Sequence, residues 1–379
     1  MSVGATHATV PAGAGTPLSD VRAFDLMSRE WDELRGRVGK STPFTAPDWF
    51  GALATVAPKD LRLYSVRHGL ALEAVAPLHL VNRSLSGLPC VALESLSDDH
   101  SQRFDLLAAN DGALEQLLDL TLEDPSWDVL ILRDVLEHSS ADRLAGIAKA
   151  RGLPTGSWSS SRSPFLPLPA DGDALDRALS SKFRANLRRR AKHLEEELGS
   201  LSLERIDSEV GLEAALQDGF RLEADGWKGA AQSAILCDPQ LTARYRAIAQ
   251  QAAQNGELSL YFLRAGDRRI AFHFALEKGS IYYLLKPGFD SSLARFGLGH
   301  LLVHFVAKDL IARSATELDF LGDEMEWKSE WTTRVRQHEW KFIFRPTVGG
   351  KLLRTWKFEV APRLKAEWDH LHPRAHDGA

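Results

Sequence analysis

Residues 61–81 read LRLYSVRHGLALEAVAPLHLV, and residues 258–277 read LSLYFLRAGDRRIAFHFALE. In each segment, alternating apolar and polar or small residues lead to a turn containing Gly69 or Gly266 and then to an apolar run. This pattern is typical of an antiparallel β-hairpin. Because the hairpins are separated by roughly half the chain, we expect a duplicated domain, although two similar hairpins also arise by chance.

The composition describes a globular protein. A chain of 379 residues with 44% hydrophobic and 26% charged residues suits two domains. A net charge of −5 and a pI near 6.2 argue against a surface made as a whole for nucleic acid or anionic lipid, so any basic site is local. Cys90 and Cys237 lie far apart and outside a CxxC spacing, which excludes a disulfide framework or cysteine zinc site and fits a reducing compartment.

Neither a signal peptide nor a membrane span is expected. Residues 1–17 are rich in Ala, Gly, Thr and Pro and lack a basic and an apolar region, so they predict a flexible tail. The longest apolar run, residues 301–311, is interrupted by His304, Lys308 and Asp309, whereas a span needs about 20 residues. We expect a cytoplasmic protein.

A Ser-, Pro- and Gly-rich stretch, residues 151–173, predicts an irregular connection between the two halves. From residue 238 onward the chain predicts helix, strand, strand, strand, helix, strand, helix and strand, which is an α/β fold with a mixed sheet. We therefore expect a tail at 1–17, an N-terminal domain at 18–160, a C-terminal domain at 161–349, and an amphipathic helix with a tail at 350–379.

A candidate phosphate-binding loop reads RFGLGHLL at residues 295–302. Glycine lets the backbone approach a ligand closely, and the free amides at a helix start attract phosphate. The candidate cofactor-binding residues are Arg295, Gly297, Leu298, Gly299 and His300. A plain turn is the other interpretation of Gly-x-Gly before a helix.

A basic helix follows the connection, with Phe183, Leu187 and Leu194 on its apolar side. Arg184 and Arg188 lie one turn apart, so both side chains can bind one anionic group. The alternative is a solvated face with internal ion pairs. The cations that we single out on this helix are Lys182, Arg184, Arg188, Arg189 and Lys192.

The candidate catalytic segment reads DFLGDEMEWKSEW at residues 319–331 and lies at the carboxyl end of a strand, where open sheets place ligands. Asp323 or Glu324 is the candidate base, and Lys328 is its electrostatic partner. The alternative is a surface helix with a Glu324–Lys328 pair. His273 is a further catalytic candidate, although its apolar strand favours a hydrogen-bonded core residue.

Candidate substrate contacts come from three more segments. Asp98, Asp99 and His100 share one polar loop, which favours acceptor binding over a metal site, since consecutive residues seldom point at one ion; an ordinary loop is the other interpretation. In a predicted bend, Trp227 is a substrate contact or a core residue, and Lys228 is a candidate cation. Lys286 precedes the phosphate loop and is either an anion contact or an exposed charge. The candidate substrate-binding residues are thus Asp98, Asp99, His100, Arg184, Arg188, Trp227, Lys228 and Lys286.

Nine segments in order resemble the CelD/BcsL-type acyltransferases, which are FemAB-like members of the GNAT superfamily. The segments are PFTAPDWF, VAPLHL, SDDHSQRFDLL, KFRANLRRRAKHLEEELG, GWKGAAQSAI, IAFHFAL, YYLLKPGFD, FGLGHLL and LDFLGDEMEWKSEW, between residues 43 and 331. In the GNAT phosphate loop pattern, (Q/R)xxGx(G/A), the first position here is Ala294, and the arginine follows it.

The resemblance implies two tandem GNAT domains, with acyl-CoA or acetyl-CoA bound by the C-terminal one, an amine acceptor between them and no metal. The implied activity is N-acylation of an amino sugar, amino acid or peptide amine, in cell-envelope polysaccharide or natural-product biosynthesis. Two alternatives stay open: an aminoacyl-tRNA-dependent transferase for peptidoglycan precursors, and a non-catalytic regulatory protein that binds a ligand with the same fold. DNA is not an expected partner.

Overall fold

A computed structural model of the chain describes residues 17–39, 41–55, 60–225 and 234–371. The predicted tail at residues 1–17 lies outside them except for its last residue, and Trp227 and Lys228 also lie outside. The N-terminal half contains α1 (Arg22–Val38), α2 (Pro47–Ala54), β1 (Leu61–His68), β2 (Ala71–Leu85), β3 (Leu88–Ser95), β4 (Leu107–Ala108), α3 (Asp111–Glu123), β5 (Val129–Leu136), α4 (Ser140–Ala150) and β6 (Thr155–Pro167).

The C-terminal half repeats much of this order. It contains α5 (Gly172–Ala178), α6 (Ser181–Leu198), β7 (Leu201–Ile206), α7 (Leu212–Ala224), α8 (Pro239–Gln254), β8 (Leu258–Ala265), β9 (Arg268–Lys278), β10 (Ile281–Phe289), α9 (Leu298–Ala312), β11 (Glu317–Asp319), α10 (Glu326–Ser329) and β12 (Val335–Phe344). α11 (Val348–Thr355), a π-helical turn (Trp356–Val360) and α12 (Ala361–Leu371) follow. The order predicted from residue 238 to β12 is confirmed.

Both predicted hairpins are confirmed, and they share an irregularity. β1 pairs with β2 and β8 with β9, each pair antiparallel. The register shifts between Val66 and Arg67 in the first hairpin and between Leu263 and Arg264 in the second, at the same position along each first strand. Since a β-bulge changes strand twist at a defined place, the shared position supports the interpretation of the halves as repeats.

The strands form one mixed sheet in the order β1-β2-β3-β5-β12-β6-β11-β10-β9-β8-β7, and β4 pairs with β2. β12 pairs with β5 of the N-terminal half, while β6 pairs with β11 of the C-terminal half, and β6 and β12 pair with each other. Each half thus contributes its last strand to the other half. This exchange makes the sheet continuous.

The prediction of an irregular connection at residues 151–173 is wrong in its central part, because residues 155–167 form β6. Residue 160, the predicted domain boundary, lies within this strand. β6 has strand partners along both edges, and such tertiary pairing overrides a Ser- and Pro-rich composition.

Helices cover both faces of the sheet, as the alternation of side chains along the strands requires. One hydrophobic cluster packs α1 to α4, α7 and α8 against one face, for example through Phe50, Phe220 and Tyr245. On the other face, a second cluster packs α5, α6 and α9 against the C-terminal half, and a third packs α11 against the N-terminal half. Within the described residues, no helix is long and apolar enough to cross a membrane.

Candidate functional site

The paired strands β10 and β11 separate after a short contact. They are parallel over Ile281–Tyr283 and Glu317–Asp319 only, while β10 continues to Phe289 along β9. In the described part of the chain, the other edge of β10 has no strand partner beyond Tyr283. This leaves a split in the sheet, beside the carboxyl ends of two strands.

In the N-terminal half, the place that corresponds to this split is filled by the loop that follows β3. β3 pairs in parallel with β5 over three residues, and the loop that follows β3 then packs beside β5. The amide of Phe104 donates to the carbonyl of Asp134, and the Asp105 carboxylate accepts from the amides of Ser140 and Ala141 at the start of α4. Burial raises the pKa of Asp105 to about 7, while these amides oppose the shift.

The helix start beside the split has two backbone donors that no described residue satisfies. Gly297 precedes α9 with a φ of 62°, which favours glycine, and no side chain caps the helix. The amides of Gly297 and His300 donate to the carbonyls of Ala294 and Gly297, so these two predicted phosphate contacts are used internally. Among the described residues, the amides of Leu298 and Gly299 have no hydrogen-bond partner, and they remain suited to bind an anion.

An arginine that the sequence analysis did not single out lies over this helix start. A Cβ atom placed on Gly297 would be 2.5 Å from an Nη atom of Arg190, so the guanidinium of α6 contacts the backbone there. Arg190 also lines a groove of about 680 Å³ between α6 and the loop before α9. The groove is lined by Arg189, Arg190, His193, Glu196, Glu197, Arg295 and Phe296. The available signal was that Arg190 directly follows Arg188 and Arg189 in the basic run of this helix.

The side chains of two other predicted cofactor residues are engaged elsewhere. Arg295 forms an ion pair with Glu197 of α6 and lies over the ring of Phe296. The Nδ1 atom of His300 accepts from the indole N–H of Trp331 at 3.1 Å, and Nε2 lies 3.1 Å from Glu330. Burial lowers the pKa of His300. Arg295 therefore connects the segment before α9 to α6, and His300 connects α9 to Glu330 and Trp331.

The polar loop after β3 reaches across to the C-terminal half at three points. Asp98 forms an ion pair with Arg244 of α8. Lys286 Nζ donates to His100 Nδ1 at 2.9 Å, and Arg103 Nη2 lies 2.7 Å from an Oδ atom of Asp319. Asp99, in contrast, is exposed and faces Arg133 at 3.6 Å. The predicted pair His100 and Lys286 is thus brought together, and we call Asp98, His100, Arg103 and their three partners the bridging cluster.

His100 is held neutral in this cluster. Burial is the largest cause that lowers its pKa to about 4, and the charge of Lys286 adds to the effect. Because Nδ1 accepts from Lys286, the neutral imidazole carries its proton on Nε2. His100 is therefore arranged to donate from Nε2 rather than to accept a proton there.

Lys328 points into the protein instead of lying on a surface helix. Its Nζ atom donates to the carbonyls of Leu321 at 2.5 Å and Asp323 at 2.7 Å, and the side chain is 5% exposed. Leu321 and Gly322 have φ values of 49° and 54°, and this tight left-handed turn presents the first carbonyl to the ammonium. A Cβ atom on Gly322 would be 2.9 Å from Gln102 Oε1 and 3.5 Å from Lys328 Nζ, which places Lys328 beside the loop that carries the bridging cluster.

The alternative interpretation of this segment, a surface helix with a Glu324–Lys328 pair, is therefore wrong. Glu324 forms an ion pair with Arg162 at 3.0 Å, and Asp323 and Glu324 are both exposed. Burial lowers the pKa of Lys328 to about 8, although the charges of Asp323 and Asp319 oppose the shift. A lysine in this state carries a proton at neutral pH and is a strong donor.

His273 lies in the core, away from the cluster. It is 1% exposed, its Nδ1 atom lies 3.3 Å from the hydroxyl of Tyr282, and burial lowers its pKa to about 3. A residue so enclosed does not reach a substrate. The interpretation as a core histidine fits this environment, and the catalytic one does not.

The candidate cations that the structure describes, Arg184, Arg188 and Lys286, do not converge in one cleft. α6 packs through Phe183 and Leu187 on the face covered by α9, whereas Lys286 lies over the ring of Tyr245 on the opposite face. Arg184 donates to the carbonyl of Asp176 at 3.0 Å, and Arg188 is exposed. The segments that resemble the family do not show on which face of the sheet each cation lies, because tertiary packing determines the face.

Comparison with known proteins agrees with this geometry. Residues 181–329 match the family model described as an acetyltransferase (GNAT) domain, a segment that runs from α6 to the end of α10. No curated protein matches the chain. The family match and the fold identify an acyltransferase with a GNAT fold.

Solved structures share this fold at low sequence identity. FemX is 14% identical, with a TM-score of 0.56 over 84% of this chain and 96% of that one. L-PGS from Bacillus licheniformis is 10% identical, with a TM-score of 0.52 over 91% and 98%. A conserved protein from Bacteroides thetaiotaomicron is 12% identical, with a TM-score of 0.55 over 83% and 97%.

Proposed function

We propose that the protein transfers an acyl group from a coenzyme A thioester to an amine, with the donor bound by the C-terminal half. The observation that carries this proposal is the open edge of β10 next to the uncapped start of α9. An extended thioester arm fits beside a strand edge that has no strand partner in the described part of the chain, and a pyrophosphate fits the amides of Leu298 and Gly299.

The two halves differ in what they offer an anion. At the start of α3, the Asn110 side chain accepts from the amide of Ala113, and Asp111 adds a negative charge to the first turn. The start of α9 has no side-chain cap and no acidic residue in its first turn. A negative ligand is therefore favoured at α9 and repelled at α3.

Arg190 and the adjoining groove extend the proposed donor site. The guanidinium over Gly297 would form charge-assisted hydrogen bonds with a pyrophosphate held by the two amides. The groove beyond it offers Arg189 and His193 to the phosphorylated adenosine end. Glu196 and Glu197 lie in the same groove and are engaged with Lys192 and Arg295.

The reaction requires an amine nitrogen to attack the thioester carbonyl carbon, the C–S bond to break, and a proton to leave the nitrogen. The Lys328 ammonium is the proposed donor to the oxyanion that forms in this step, because it is buried and beside the split. Asp323, whose charge acts on Lys328, is the proposed base, since Glu324 is occupied by Arg162. The coenzyme A thiolate is the leaving group.

The proposed acceptor is an amine on a sugar, amino acid or peptide, as in the CelD/BcsL-type enzymes that the sequence resembles. The bridging cluster supports an acceptor site between the halves, because it places Arg244, Lys286 and the Nε2 donor of His100 next to β10. Such groups recognise an acceptor that carries an anionic or hydroxyl group besides its amine.

A thiol-release assay with acetyl-CoA and a panel of amino sugars, amino acids and peptides tests this proposal. We expect amine-dependent release of coenzyme A thiol and an acetylated product by mass spectrometry. Thiol release that no amine accelerates, with no product formed from longer acyl donors either, would contradict it.

An aminoacyl-tRNA donor is the second candidate. The exposed cations Arg188, Arg189 and Lys192 on α6 favour it, because they present a basic face suited to a phosphate backbone. Transfer from charged tRNA that falls steeply with salt, in the absence of transfer from acyl-CoA, would select this donor.

A further inference from the structure

The C-terminal helical segment, residues 348–371, is attached to the sheet by one side only. We call it the C-terminal arm; it comprises α11, the π-helical turn and α12. Leu353 is buried, the Phe358 ring packs edge-on to Phe342 at 5.4 Å, and the Trp356 indole donates to the carbonyl of Ser86 at 3.0 Å. These contacts fix the first half of the arm.

The outer side of the arm carries large apolar residues in solvent. Val348, Leu352, Leu364 and Trp368 are exposed by 76%, 65%, 51% and 63%. Residues 362–368 of α12 are all exposed, so this helix extends away from the sheet. A short helix that buries little surface is only marginally stable in water, and a row of exposed apolar side chains on residues 362–368 indicates a partner surface.

The π-helical turn aligns the two apolar pairs. Val348 and Leu352 lie one turn apart, as do Leu364 and Trp368. Leu364 follows Leu352 by twelve positions, which in a regular α-helix is about 3.3 turns and would place the two pairs on different sides. Pro362 has no amide to donate to Phe358, and the Ala361 amide instead bonds the Trp356 carbonyl five residues earlier. The wider turn absorbs one residue, which reduces the separation to about 3.1 turns and brings both pairs onto one side.

The charge of the arm differs from that of the whole chain. Residues 348–371 contain five basic and three acidic residues, whereas the full chain has a net charge of −5. Lys351, Arg363 and Lys365 are exposed next to the apolar row. An amphipathic helix with Leu and Trp on one side and flanking cations has the properties of one that lies in a membrane interface.

We propose that the C-terminal arm docks on an anionic lipid surface, with Val348, Leu352, Leu364 and Trp368 in the interface and the cations at the headgroups. A second copy of the chain is the less suitable occupant, because a symmetric contact would bring two arms of net positive charge together. The proposal is independent of the acyl donor. It adds a membrane-surface location to the enzyme.

Sedimentation of the full chain with vesicles tests this docking. We expect binding to vesicles of equal parts phosphatidylglycerol and phosphatidylcholine, weaker binding to phosphatidylcholine alone, and a loss with added salt. The double variant Leu352→Glu, Trp368→Glu should bind the anionic vesicles at least tenfold less tightly.

Leu70→Glu is the matched control, since Leu70 is 93% exposed at a hairpin turn outside the arm. It should bind like the unmodified chain, and thermal melting of all variants should be unchanged because the substituted residues are exposed. Equal binding of the double variant and the control would overturn the proposal. Absence of vesicle binding would also overturn it, and a dimer lost only in the double variant would then assign the arm to a second copy.

Discussion

Arg103, in the loop after β3, and Asp319, at the end of β11, form a buried ion pair that connects the two halves. Their side chains are 6% and 1% exposed, with 2.7 Å between Nη2 and Oδ2. Asp319 also accepts from the Leu321 amide at 2.9 Å and from Arg336 at 3.2 Å. The same carboxylate therefore holds the loop of the bridging cluster and the turn that positions Lys328.

Arg103→Leu should destabilise the protein by about 3 kcal/mol, because it removes one partner of a buried pair and leaves the carboxylate partly uncompensated. Arg29→Leu is the control; its pair with Glu33 is 90% and 63% exposed and contributes at most about 0.5 kcal/mol. Urea denaturation measures both. Equal midpoints for the two variants would show that the buried pair does not stabilise the connection.

Gly299→Glu should weaken coenzyme A binding at least tenfold in calorimetry, because it places a negative charge at the helix start that is proposed to hold pyrophosphate. No atom lies within 4 Å of a Cβ at this glycine, so the fold should be retained. Gly146→Glu, on α4 and equally open, is the control and should bind normally. If both variants keep the original affinity, the donor site lies elsewhere.

Arg190→Ala should reduce coenzyme A affinity about tenfold to a hundredfold, the usual loss of a charge-assisted hydrogen bond of about 1.5 to 3 kcal/mol. Arg188→Ala removes the same charge from an exposed position of the same helix. Titration calorimetry of coenzyme A with the two variants distinguishes a specific contact of Arg190 from the general positive electrostatic field of α6. A larger loss for Arg188→Ala would favour the originally predicted arginine.

Lys328→Met should lower kcat by about a hundredfold to a thousandfold with a small effect on KM, as expected for loss of an oxyanion donor. The pKa of Lys328 is lowered to about 8, so its ammonium is present below this pH and is lost above it. Activity should accordingly fall as the pH rises through about 8.

Lys308→Met is the control, since this half-exposed lysine of α9 pairs with Asp176 outside the split. It should retain kcat and the same pH profile. An unchanged kcat in Lys328→Met would mean that the lysine only holds the turn after β11.

Local patterns were enough to predict the hairpins, α9 and the strand that ends at Asp319. They did not predict the exchange of β6 and β12, because Trp158 pairs with Trp340 across 182 residues and no local signal marks that pairing. His100 and Lys286 were both recognised as candidates, but their contact depends on how the loop after β3 crosses the sheet. Lys328 was identified, yet its inward direction follows from the left-handed Leu321–Gly322 turn, which the sequence does not reveal.

A crystal structure of the protein with coenzyme A would show which half binds the donor. We expect pyrophosphate oxygens within hydrogen-bonding distance of the Leu298 and Gly299 amides and of Arg190, with the thiol end in the split beside β10. Coenzyme A bound at the start of α3, or no binding to the crystalline protein at saturating concentration, would contradict this expectation.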